Sequence, residues 1–253
     1  MIYYGNNDWR DYLAHHGILG QRWGKRNGPP YPLSYGSHSA SEKKAGWRNS
    51  LSVGATKTQK DTGTRKAIEK KQKAVAENLV EELNTEWDYG VMTSDGRRLT
   101  EENSGLDNFN YGRDYRTLPL EKLRKEKIGT CWDFVNYQHD VLKKAGIKDS
   151  AYLIVMRLPT KDDPDRTITH TFSTLKVGDK EYWLESAMWP KRGLHEIKDF
   201  KDAATQIHDQ YTKTKTPYSL FKYDPEGMDK GLTDTEFFDR ATDGNWLMDV
   251  NVK

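Results

Sequence analysis

Cys131 has the placement best suited to nucleophilic chemistry in this 253-residue chain. It is the single cysteine, which excludes an internal disulfide and a cysteine-rich zinc site. It stands in KIGTCWDFVNYQHDVLKKAGI, where Thr130 is a fitting N-cap and Gly129 supplies backbone freedom just before it. A thiol in the first helical turn meets unpaired N–H groups and the positive end of the helix dipole, and both favour the thiolate. Taken alone, the same residue also fits a small buried hydrophobe. A nucleophilic thiol needs a base, and the base needs a group that fixes its tautomer. Among the seven histidines, His170 in THTF lies within a β-rich run, on the same strand face as Phe172 and Thr174. The next run, KEYWLESAM, is joined to it through Gly178-Asp179, a two-residue hairpin signal. That turn sets His170 opposite residue 187 and makes Glu185 its diagonal neighbour on the same face; a two-residue shift or a bulge would make them direct partners. A carboxylate beside an imidazole is the orienting half of a Cys-His-acid triad. Singly, His170 also reads as a half-buried strand histidine and Glu185 as a solvated strand charge.

These three residues need a helix and at least two strands to hold them. A helix is predicted over 65–87, with Ile68, Val75, Leu79 and Leu83 on one face and Glu69 and Lys73 paired on another. VMTSDGRRL reads as a short hairpin, and residues 101–117 as an irregular loop whose aromatics around 106–116 are placed to wall a cleft. The helix carrying Cys131 should run from Thr130 to Ala145 and end on Gly146. Residues 151–158, 169–177 and 180–188 read as strands, 199–211 as a helix, and Thr233 with Glu236 as a capping box that opens a short one. Helices first, then antiparallel strands, indicate an α+β fold.

The net charge of +2 conceals two unlike segments. Residues 1–75 carry 14 Lys/Arg against 5 Asp/Glu, and the remainder carry 26 against 33. Residues 1–33 mix aromatics with Gly and Pro and read as an anchor peptide. Residues 34–63 are too poor in apolar side chains to offset the entropy of ordering and read as a basic linker. A catalytic-looking domain is expected over 64–253. No window approaches a membrane span, and the first residues lack the basic-then-apolar order of a secretory signal. The basic segment contains no recognisable nucleic-acid module, so nucleic acid is disfavoured as a partner.

Gly129-Thr130-Cys131-Trp132-Asp133, Thr169-His170-Thr171-Phe172 and Tyr182-Trp183-Leu184-Glu185, in that order, resemble the transglutaminase-like branch of the papain-like cysteine enzymes. The similarity extends through Trp189 and Gly193-Leu194-His195 and covers about residues 118–200. It implies a nucleophile at a helix N-terminus packed on an antiparallel sheet, with Cys131 as nucleophile, His170 as base and Glu185 as orienter. Glu185 stands where that family usually has Asp. The resemblance also implies an oxyanion hole built from the Cys131 backbone N–H and a second donor that the sequence does not locate. Trp132, Trp183 and Trp189 are the expected substrate-binding aromatics. Asp133 reads as a first-turn helix charge, His139 as too far along the helix to serve Cys131, and His195 as a neighbour of the site or a loop cap. No cofactor is called for, and a metal held by His170, Glu185 and His195 lacks paired-ligand spacing.

A second resemblance lies at the other end. His15-His16-Gly17-Ile18-Leu19-Gly20-Gln21-Arg22-Trp23-Gly24 is similar to a short tag found in proteins of phages and prophages of Gram-positive bacteria, in virion-assembly settings. Its apolar residues between glycines suit docking, so residues 13–26 are the expected contact with a virion or assembly partner. The expected function is thiol-dependent amide hydrolysis or acyl transfer on a protein or peptide substrate, in a bacterial host cytoplasm or a virion. The competing expectation is a non-catalytic phage assembly protein that uses the domain and the tag as binding modules.

Overall fold

The computed structural model describes residues 62–250, except 101–102, 104–105, 107–108, 162–163, 165, 189–190 and 213–214. The anchor peptide, all of the linker but its last two residues, the tag and Trp189 therefore lie outside the described residues. The chain begins with α1 (Thr62–Glu86), whose Ala76, Leu79, Val80 and Leu83 enter the core. Ile68, placed on that face by its spacing, is 52% exposed instead. The first turns of α1 pass over the Gly178-Asp179 turn, where Arg65 pairs with Asp179 (3.1 Å) and the Glu69 carboxylate crowds Gly178. The apolar contact is left to the later turns. The i,i+4 pairs that form on this helix are Arg65–Glu69 (2.7 Å) and Lys73–Glu77 (3.3 Å).

A hairpin follows, β1 (Asp88–Met92) and β2 (Arg98–Thr100), turning through Gly96 at φ 85°. After α2 (Tyr111–Asp114) and α3 (Leu120–Glu126), the short β3 (Ile128–Gly129) pairs in parallel with β1 and closes a three-stranded sheet. The chain then enters α4 (Cys131–Lys144), which is capped at Thr130 and followed by Gly146 at φ 69°.

The larger sheet is antiparallel throughout, in the order β7-β6-β5-β4-β8-β9, the strands being β4 (Asp149–Arg157), β5 (Thr167–Val177), β6 (Lys180–Glu185), β7 (Gly193–Ile197), β8 (Tyr218–Tyr223) and β9 (Trp246–Val250). Helix α5 (Phe200–Tyr211) is capped by the Asp199 carboxylate, and α6 (Asp234–Thr242) by the expected Thr233–Glu236 box. The α+β class is as expected. The expected late helices form as α5 and α6, and β7, β8 and β9, which the sequence did not indicate, set them between strands.

The core divides by sheet face. Helix α4 packs mainly on β5 and β4, and its Phe134, Tyr137, Val141 and Leu142 join α1 with Leu175, Val177 and Leu184. A second cluster sets Ala203, Ala204 and Ile207 of α5 against Ile154, Ile168, Phe172 and Leu220. A third gathers Cys131, Trp132, Val135, Leu153, Tyr223 and Phe237 where α6 crosses the start of α4. No helix among the described residues is long and apolar enough to cross a membrane.

Candidate active site

Each of the three candidate residues is set by local structure. Cys131 is the first residue of α4, and Thr130 before it holds an extended conformation at φ −91°. Gly129 is required for a different reason from backbone freedom. Its φ is not positive, but a Cβ there would lie 2.6 Å from the Cβ of Asp133. The glycine therefore lets β3 run close against the helix start it feeds.

His170 lies mid-way along β5, opposite Ile154 of β4. The β5–β6 register follows from the two-residue turn, with Val177 opposite Lys180 and Ser173 opposite Leu184. One further step sets Glu185 across from Phe172 and diagonal to His170. This diagonal suffices without a shift or a bulge, since the long Glu side chain brings Oε2 to 2.9 Å from His170 Nε2. The other carboxylate oxygen accepts the N–H groups of Ala187 (2.8 Å) and Met188 (2.7 Å), where the chain turns away after β6. That turn ends the strand at Glu185, short of residue 188, and clamps the carboxylate. The Cys131 side chain is the second hydrogen-bonding neighbour of the imidazole. With Nε2 committed to Glu185, Nδ1 is the nitrogen left for the sulfur.

All three side chains are buried, Cys131 to 2% exposure. Burial alone lowers the His170 pKa, but the negative charge of Glu185 and the hydrogen bonds to Cys131 and Glu185 outweigh it and push the value up to about 10. At neutral pH the ring is then an imidazolium between the Glu185 carboxylate and the Cys131 sulfur. That arrangement favours a thiolate at Cys131.

Two polar networks that sequence reasoning did not assign hold the helix, one at its start and one against the sheet. Asp133 lies in the first turn of α4, as expected, and is buried there as a clamp. Its carboxylate accepts from the backbone N–H of Thr130 (3.0 Å), the N–H of Leu118 (3.0 Å), the Tyr115 hydroxyl (2.9 Å) and the Thr130 hydroxyl (3.2 Å). Burial lifts its pKa to about 6 against the pull of these donors. The Thr-x-x-Asp spacing was the available signal, since it is the form of a capping box. Two turns along, on the Cys131 face of α4, Gln138 accepts from Ser173 (2.5 Å) and donates to Ser186 (3.0 Å). This ties the nucleophile's helix to the histidine strand and to the turn that clamps Glu185.

Other expectations are redrawn. Trp132 and Trp183 offer no surface to a substrate, since both are fully buried. Trp132 stacks on Phe237 at 3.9 Å and 11°, and Trp183 lies 5.0 Å from the His195 ring. Phe237→Leu removes this stack while keeping the site apolar, and should lower the unfolding free energy by about 1 kcal/mol in a denaturant titration. Of the loop's apolar residues, Tyr111 and Tyr115 are buried against the start of α4, leaving Leu106 and Phe109 half-buried at its edge. His195 caps a loop by bonding the Lys191 carbonyl (2.6 Å). His139 bonds Asp149 (2.9 Å) and lines a separate cleft of about 440 Å³ with Asn136 and Lys143. No group of three His, Cys, Asp or Glu side chains among the described residues could hold a metal ion.

No protein-family model matches the chain, and no curated protein matches it.

Proposed function

We propose that this chain is a thiol-dependent amide hydrolase or acyltransferase, with Cys131 as nucleophile, His170 as acid-base and Glu185 as orienter in a papain-like or transglutaminase-like layout. The observation that carries this is the buried imidazole held by Glu185 on one side and bonded to a helix-start cysteine on the other. An antiparallel sheet behind the nucleophile's helix supports the layout.

In the proposed reaction the Cys131 thiolate attacks an amide carbon, forming an S–C bond as the carbonyl electron pair moves to oxygen. The Cys131 backbone N–H, which points out of the helix start, is one donor to that oxyanion. As the C–N bond breaks, the His170 imidazolium gives its Nδ1 proton to the leaving amine. Water or a second amine then attacks the thioester, loses its proton to His170 and restores the thiolate. Water yields a carboxylic acid, and an amine yields a new amide. A protein or peptide substrate, a phage or prophage setting and a virion partner are supported by the sequence resemblances alone.

Acyl-enzyme trapping tests the proposal without knowledge of the substrate. The full chain treated with 4-nitrophenyl acetate should gain one acetyl group at Cys131 by intact mass and peptide mapping, and added glycinamide or water should release it. An adduct that forms no faster than on a free thiol, or that forms equally in His170→Ala, would leave the domain as a binding module.

A further inference from the structure

Resting on the proposed thiol chemistry, we infer that the Tyr223 hydroxyl is the second oxyanion donor, a catalytic hydrogen bond supplied from β8. Tyr223 sits opposite Ala151 of β4, and on the far side of β4 Thr171 of β5 sits opposite Leu153. These residues share one face of the sheet by alternation. To bring its hydroxyl beside that of Thr171, as it does, the Tyr223 side chain crosses β4 diagonally toward the strand that carries His170. It does so within the cluster that contains Cys131, Trp132 and Phe237, and the Phe237 ring braces it edge-on at 5.6 Å.

Two further features fit the role. The hydroxyl is buried and makes no well-formed hydrogen bond, and neither does that of Thr171. A buried phenol without a well-formed hydrogen bond costs free energy unless another state of the protein supplies a better acceptor, and an acyl-transfer intermediate supplies one. After burial, the negative charge of Cys131 is the strongest influence on this phenol, and both keep it protonated far above neutral pH. It therefore stays a donor while the sulfur is a thiolate. Tyr115, the other phenol that feels the Cys131 charge, already donates to Asp133. When the thiolate adds to a carbonyl, the electron pair leaving the C=O bond settles on oxygen. Tyr223 donates its O–H to that oxygen and keeps its proton when the intermediate collapses.

The test compares two reactions of the same sulfur in the full chain. Acylation by 4-nitrophenyl acetate passes through an oxyanion, whereas alkylation by iodoacetamide does not. Tyr223→Phe should slow acylation about 10²- to 10³-fold and leave alkylation within about twofold, while thermal unfolding reports the fold. Replacing Tyr223 with 4-methylphenylalanine, equal in size but without a donor, should behave as Tyr223→Phe does. Replacement with 4-aminophenylalanine, which keeps an N–H donor, should restore most of the acylation rate. Equal losses in both reactions would reassign Tyr223 to packing or thiol activation, and no loss in either would overturn the inference. In both cases a fast, His170-dependent wild-type thiol would leave the proposed function intact. A wild-type thiol no faster than a free one would end both.

Discussion

Replacing His170 with alanine should slow iodoacetamide alkylation of Cys131 at pH 7 by about 10²- to 10⁴-fold, the range a positioned acid-base partner supplies. The reason is electrostatic. His170 is pushed up to about 10 because the Glu185 carboxylate and Cys131 overcome the cost of burying its charge, so near neutrality it is a cation beside the Cys131 sulfur. Without the ring, the sulfur at 2% exposure retains the helix dipole but no adjacent cation, and a buried thiolate is then disfavoured. The pH dependence has a definite sign. A histidine raised from 6.5 to about 10 stabilises the fold fully below pH 6.5 and loses that contribution as pH rises through 10. The His170-dependent alkaline limb of acyl transfer should also lie near pH 10. Glu185→Gln removes the largest influence that raises the ring, so this limb should move toward neutrality. An alkylation rate unchanged in His170→Ala, or a limb unmoved in Glu185→Gln, would separate these residues from the thiol.

Asp133→Ala should cost at least about 3 kcal/mol of stability, since several buried donors lose their acceptor at about 1–3 kcal/mol each, read as a fall in the denaturation midpoint. The truncation leaves the Leu118 and Thr130 N–H groups and the Tyr115 hydroxyl facing a void. Each is an inward-facing donor with a desolvation cost of about 1–3 kcal/mol if unpaired. Because Thr130 and Cys131 are adjacent, the variant should also slow Cys131 alkylation. Asp133→Asn keeps an acceptor oxygen and should recover part of both losses. For Asp133 the linkage also favours protonation in the folded state, since its pKa rises from 3.8 to about 6. Its stabilising contribution is complete below pH 3.8 and diminishes as pH rises through 6. The stability gap between the native chain and Asp133→Asn, which does not titrate there, should therefore narrow over that interval. A loss under 1 kcal/mol in Asp133→Ala would show that the loop 115–118 does not depend on this carboxylate.

Much of the candidate site was legible because it is built from short-range devices. The start of α4 follows from Thr130, Asp133 and the glycine before them, and its end from Gly146. The Gly178-Asp179 turn determines the β5–β6 register, and the register carries Glu185 to the diagonal of His170. Both devices act over a few residues, where backbone sterics and side-chain period leave few alternatives.

The tertiary structure decided the remainder. Which way an indole faces depends on what arrives from elsewhere in the chain: Trp132 is core because Phe237, more than a hundred positions later, stacks on it. Asp133 is a clamp because the loop holding Tyr115 and Leu118 returns to the helix start. Tyr223 reaches the neighbourhood of Cys131 because β8 pairs on one side with β4, far earlier in the chain. A tyrosine in a strand has no periodic signature that distinguishes a donor from a core ring. The sequence by itself determined a helix-start cysteine and a histidine with its carboxylate. Bringing the two halves together, burying them and surrounding them with Asp133, Gln138 and Tyr223 required non-local strand pairing and helix packing, whose partners are selected by the whole core rather than by any local run of residues.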